Sequence, residues 1–184
     1  MNPNQIQLAI NYLQSGKIGV IPTDTIFGIS TNALDQSSVE MIYEIKGRHT
    51  TKPFIVLIGG IAQLSLFNIT LNSAQSESLT KIWPGQYSII IPCEQPEFNY
   101  LHRNTNSIAF RIPDNNELLE IINATGPIVA TSANISGLPT PQNINEVKTQ
   151  LPSLDFYIDG TVGIKPSRLG VLNQDGTISW IERS

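Results

Sequence analysis

Lys46-Gly47-Arg48-His49-Thr50-Thr51-Lys52-Pro53-Phe54-Ile55-Val56-Leu57-Ile58 decides how the chain folds. Its first residues close a helical pattern, in which Val39, Ile42 and Ile45 share one face and Gly47 is the stop. Its last five form a branched apolar run bounded by Pro53 and Gly59-Gly60, the signature of a buried strand. A helix feeding a strand through a short polar turn is the unit from which α/β domains are built. Lys46, Arg48 and Lys52 stand in that turn. Cations at a helix C-terminus complement the macrodipole and lie in water. Three of them interleaved with Gly47 and Pro53 also make a wall for an anion, with Arg as a planar fork and Lys as a mobile point charge.

Outward from this turn, strands and helices alternate irregularly. Upstream, residues 4–13 place Ile6, Ala9, Ile10 and Leu13 at helical spacing, and residues 18–22 and 26–31 read as strands around the polar triplet Thr23-Asp24-Thr25. Ser37 with Glu40 three residues on fits a capping box that starts the helix before Gly47. Downstream, residues 61–67, 73–82, 115–124 and 143–151 read as helices, and 87–91, 107–112, 128–130 and 156–158 as strands. Residues 92–106 read as a polar loop, and 168–172 with 177–181 as a hairpin across Asp175-Gly176. The pattern predicts an α/β domain over residues 1–184 with a twisted, mixed, open sheet and flanking helices.

Composition narrows the class. Of 184 residues 40% are apolar and 14% charged, which is globular and unlike a disordered chain. A net charge of −4 argues against a surface that grips nucleic acid throughout, although 11 Lys and Arg suffice to line a local cleft. Cys93, the single cysteine, has no disulfide partner and reads as a small buried hydrophobe. His49 and His102 lie in polar stretches and read as solvent-exposed. No run suits a membrane span or a signal peptide, so a cytoplasmic protein with no membrane partner is expected.

The familiar catalytic signatures are missing: no P-loop, no dinucleotide fingerprint, no nucleophile elbow, and no carboxylate cluster for a protein-held metal. Polar residues at strand ends remain. Thr131-Ser132-Ala133-Asn134-Ile135-Ser136-Gly137 follows the strand 128–130, where small hydroxyl and amide side chains face the ligand crevice of α/β sheets or simply cap a turn. Arg111 sits in the apolar strand Ile108-Ala109-Phe110-Arg111-Ile112-Pro113 and so requires a buried carboxylate or an anionic ligand.

Together these stretches resemble the YrdC-like, or TsaC-type, threonylcarbamoyl-AMP synthases. The likeness rests on Pro22-Thr23-Asp24-Thr25-Ile26-Phe27-Gly28, on Lys46-Gly47-Arg48 with Lys52-Pro53, on Trp83-Pro84-Gly85, on residues 108–113, and on Ser132-Ala133-Asn134-Ile135-Ser136-Gly137, in that order. It implies a YrdC/RibB-like fold with a large concave basic cleft. It also implies formation of threonylcarbamoyl-AMP and pyrophosphate from L-threonine, bicarbonate or CO2, and ATP, for threonylcarbamoyl modification of adenosine 37 in tRNAs reading ANN codons. Lys46, Arg48, Ser132 and Asn134 would be catalytic. Arg48, Lys52, Ser107, Ser132, Asn134, Thr140 and Arg183 would hold ATP, and Thr23, Thr25, Arg111 and Ser167 the threonine. Mg²⁺ would enter with ATP, with none held by the protein, and transfer proteins would act later. The implied form is short, without the further C-terminal domain of longer members. Arg168 stands where the family usually has Thr, and His49 where it usually has Pro. Two other readings are a non-catalytic module whose cleft holds tRNA or double-stranded RNA, and the YrdC-like part of a hydrogenase-maturation carbamoyltransferase. The net charge weakens the first, and the chain length and lone cysteine weaken the second.

Overall fold

The computed structural model describes residues 1–47, 53–163 and 165–182. Helix α1 (Pro3–Gln14) begins at a capping box: the Asn2 side chain accepts from Gln5 N, and Gln5 accepts in return from Asn2 N. Strands β1 (Gly19–Pro22) and β2 (Phe27–Asn32) follow, then helix α2 (Gln36–Lys46). Its cap is Asp35, not Ser37. The Asp35 carboxylate accepts from Ser37 N at 3.0 Å and Ser38 N at 3.2 Å and from both serine hydroxyls. An anion is favoured at a helix N-terminus, and a carboxylate accepts more bonds there than a serine hydroxyl can. Glu40 is engaged by Arg103 at 2.6 Å instead. Gly47 ends α2 in the left-handed region at φ 55°, which a side chain would disfavour.

Next come β3 (Ile55–Leu57), a 3-10 turn (Ile61–Phe67), α3 (Ser73–Thr80) and β4 (Tyr87–Pro92). The stretch 92–106, expected to be loop, contains a 3-10 turn (Pro96–Phe98) and helix α4 (Asn99–His102). These bury Phe98, Tyr100, Leu101 and His102. Apolar side chains in a polar stretch pull it onto the core. His102, expected in solvent, is 3% exposed, with Nε2 facing Gln95 O at 3.3 Å. Then β5 (Ser107–Arg111), α5 (Asn116–Thr125), β6 (Ile128–Ser132), α6 (Ile144–Gln150), β7 (Phe156–Tyr157), β8 (Arg168–Leu172) and β9 (Ile178–Ile181) complete the order. Cys93 is buried as expected, and burial pushes its thiol pKa up.

The strands form one mixed sheet in the order β7-β1-β2-β6-β3-β5-β4-β8-β9. β3 with β5 and β4 with β8 are parallel, as is β1 with β7, and the other neighbours are antiparallel. Successive strand residues face opposite sides. On one side Phe27, Ile29, Val56, Ile89, Ile108, Phe110 and Val129 join the larger core with Val39, Ile42 and Tyr43 of α2. On the other, Ile21, Leu57, Ile128 and Ala130 pack against Ile6, Ala9, Ile10 and Leu13 of α1 and Leu118, Ile121 and Ile122 of α5. Burial of these side chains, each worth roughly 1.5–3 kcal/mol, holds the two helical layers to the sheet. Among the described residues no helix is long and apolar enough to cross a membrane.

Candidate active site

The face that carries α1 and α5 is not fully covered. A cavity of about 830 Å³ opens beside them, within the roughly 300–1,000 Å³ of small-molecule sites. Its floor is a row of cross-strand neighbours. Ile55 pairs with Ala130 on one side and Ala109 on the other, and Ala109 pairs with Ile90. Gly28, opposite Ser132, continues the row, and Leu169 closes it. Along β5 the alternation is plain: Ile108 and Phe110 enter the core, while Ser107, Ala109 and Arg111 line the cavity. Small side chains on one face create the space, and the strand period puts polar ones at its edges.

Arg111 is 3% exposed and pairs with Asp24, Nη1 to Oδ1 at 2.7 Å. Of the two partners expected for this buried arginine, the carboxylate is the one present, and the residue also lines the cavity. Asp24 is itself held. Its Oδ2 accepts from Asp114 N at 3.3 Å and its carbonyl from Gln86 Nε2 at 2.6 Å. On either side of it, Thr23 and Thr25 are buried at the cavity. Thr23 Oγ1 donates to Ile26 O at 2.7 Å and accepts from the N–H groups of Thr25 and Ile26. Its one proton is used on the carbonyl, so the 2.9 Å contact between the two hydroxyls has Thr25 as donor. The lone pairs of Thr25 Oγ1 then remain as acceptors. Gly163 packs over this turn, where a Cβ would come within 2.7 Å of Thr25 O.

The Ser-Asn loop is built differently from expectation. Strand β6 runs to Ser132, because Thr131 and Ser132 pair with Ile29 and Gly28. Thr131 and Ser132 line the cavity. Lys46 is 2% exposed, and its Nζ donates to Ser132 O and, at 2.7 Å, to Asn134 O. The end of α2 is thus clamped to the loop that follows β6. Asn134 Nδ2 donates to Leu138 O at 2.7 Å and to Ile135 O, which shapes the loop from within. Its Oδ1 is buried with no hydrogen-bond partner among the described residues.

Of the residues singled out in the sequence, Thr23, Thr25, Ser107, Arg111, Ser132 and Ser167 meet around one cavity. Lys46, Asn134 and Thr140 lie outside its described lining. Arg48, His49, Lys52 and Arg183 lie outside the described residues. Among the described lining residues Arg111 is the one cation and Glu182 the one carboxylate, so these residues alone do not give the cleft the basic character expected of it. Sequence reasoning missed Thr105 at the lining, Asp24 as the arginine's partner, and Ser88, whose buried Oγ lies 2.8 Å from Ser167 Oγ. The alternation of small and large residues along β5 up to Phe110 is the signal that points to the cavity face.

Comparison with known proteins agrees with this geometry. The Sua5/YciO/YrdC family model, described as "Telomere recombination", matches residues 11–175. A threonylcarbamoyl-AMP synthase of Bacillus subtilis is 33% identical over 172 residues, covering 92% of this chain and 49% of its own. One from Escherichia coli is 28% identical over 169 residues, covering 89% of each chain. A crystal structure of Pyrococcus abyssi Sua5 complexed with L-threonine superposes with a TM-score of 0.82 at 29% identity, over 91% of this chain and 50% of that one. The chain spans about half the length of the Bacillus and Pyrococcus relatives. Because that family model matches most of the chain, residues 11–175, the chain belongs to the Sua5/YciO/YrdC family.

Proposed function

We propose that the protein makes threonylcarbamoyl-AMP. The observation that carries this reading is that Arg111, held by Asp24, and Thr25, the residue next to Asp24, both line the cavity. Arg111 offers guanidinium donors to a carboxylate, and Thr25 Oγ1 offers an acceptor to an amine or hydroxyl proton. A free α-amino acid carries both groups. Relatives named threonylcarbamoyl-AMP synthase, and one solved with L-threonine, support threonine as that amino acid.

In this reading the threonine amine takes up bicarbonate or CO2 to give the N-carboxylate, with loss of water in the bicarbonate case. A carboxylate oxygen then attacks the α-phosphorus of ATP and pyrophosphate leaves. Such phosphoryl chemistry asks mainly for positioning and charge stabilisation, not for a protein nucleophile. ATP enters as its Mg²⁺ complex. Arg48 and Lys52 supply cations toward its phosphates, Ser107, Ser132, Asn134, Thr140 and Arg183 hold the nucleotide, and Thr23 and Ser167 complete the threonine end. Lys46 acts by fixing the Ser132–Asn134 turn. The product is a carbamoyl donor for N6-threonylcarbamoyl modification of tRNA through later transfer proteins in the cytoplasm.

The test is pyrophosphate release from ATP and bicarbonate across a panel of amino acids. Release that depends on L-threonine supports the reading. Release that depends on no amino acid, with salt-sensitive tRNA or double-stranded RNA binding in its place, overturns it in favour of a binding module.

A further inference from the structure

Ser88 lies on β4, fully buried on the same face as the cavity residue Ile90 and opposite Leu169, and is not among the described lining residues. Its hydroxyl has one hydrogen-bond partner among the described residues, Ser167 Oγ at 2.8 Å. Ser167 is 4% exposed and lines the cavity. Either oxygen could donate across this contact, and the two arrangements are not equivalent. If Ser167 donated, the Ser88 proton would be left buried with nothing to bond, which native structures avoid. If Ser88 donates, both its needs and the geometry are met, and the Ser167 proton is released toward the cavity.

We propose that Ser88 is a positioning residue that acts through Ser167. It donates to Ser167 Oγ and so turns the Ser167 hydroxyl into a donor aimed at the substrate carboxylate. The assignment rests on the amino-acid reading of the cavity above. It gives the cavity two donors, Arg111 and Ser167, and one acceptor, Thr25 Oγ1: Arg111 is donor-only and is held by Asp24, while Ser88 and Thr23 set the polarity of the two hydroxyls. A carboxylate accepts from both donors, whereas a carboxamide presents an N–H₂ group that meets a donor. A site of fixed polarity rejects the analogue that cannot match it. Ser88 is therefore a determinant of carboxylate over carboxamide.

Ser88→Ala removes the donor but adds no bulk, so Ser167 becomes free to rotate. The experiment compares the wild-type chain, Ser88→Ala and Ser88→Thr by calorimetric binding of L-threonine and of L-threoninamide, and by steady-state pyrophosphate release. For Ser88→Ala we expect threonine affinity to fall about 3–10-fold, the acid-to-amide preference to shrink by a similar factor, and kcat and the KM for ATP to stay within about twofold. Ser88→Thr keeps the hydroxyl and should restore the preference if it folds with an unchanged melting temperature. An unaltered acid-to-amide ratio in a folded Ser88→Ala protein would overturn the role of Ser88 while leaving the synthase reading in place. A wild-type protein that binds neither compound would overturn that reading itself, and this role with it.

Discussion

Arg111 shows how far single residues can be read. An arginine in the middle of an apolar strand must be paired, and that much follows from its desolvation cost. Its partner does not follow, because Asp24 is 87 positions away and becomes a neighbour only through the sheet order. Lysine at this position would keep the charge but lose the planar fork. We expect Arg111→Lys to raise the KM for the amino acid about tenfold, with the KM for ATP within about threefold, as read by pyrophosphate release. Equal losses toward both substrates would contradict its place at the amino-acid end. Lys46 carries the opposite lesson. The sequence places this helix-end lysine among the catalytic residues, and the structure adds that its ammonium donates to two loop carbonyls inside the protein. Lys46→Ala strips those carbonyls of their donor, so stability should fall by roughly 2–4 kcal/mol in urea unfolding, together with activity. Lost activity at unchanged stability would point to a direct role at the phosphates instead.

At the level of elements, most helices and strands were legible because their apolar periods are clean. The helix start before Gly47 was misplaced, since Ser37-Glu40 matches a capping box while Asp35 makes the stronger cap. The stretch 92–106 was misread because its buried residues are too closely set among polar ones to show a period. Asp35 offers a direct check. Bonds from the Ser37 hydroxyl first, and then from Ser38 and the two backbone amides, hold its carboxyl below the usual value of 3.8. A depressed folded-state pKa stabilises the protein above the unfolded value, and that stabilisation is lost as pH falls through the folded one. Asp35→Ala should therefore cost about 1–2 kcal/mol at neutral pH, and the gap to the native protein should close below about pH 3.8. Thermal melts across pH would show it; a gap that stays constant to low pH would mean the charge contributes nothing to the cap.

For the molecule as a whole, the α/β class and the mixed sheet were readable, but the order of the strands was not. Only that order sets Gly28, Ala130, Ile55 and Ala109 side by side on one face and opens the cavity beneath Arg111. The proposed site is likewise a property of the assembled face: Thr25, Ser167 and Arg111 come from a turn, the residue before β8 and the end of β5, and share no local pattern. The central claim is that this face joins a carboxylated amino acid to adenylate. Its most direct test is mass spectrometry of the reaction with ATP, L-threonine and ¹³C-bicarbonate. We expect an adenylate product that contains threonine and one labelled carbon, absent when threonine is omitted. AMP released without a labelled threonine adduct, or no nucleotide product at all, would contradict the account.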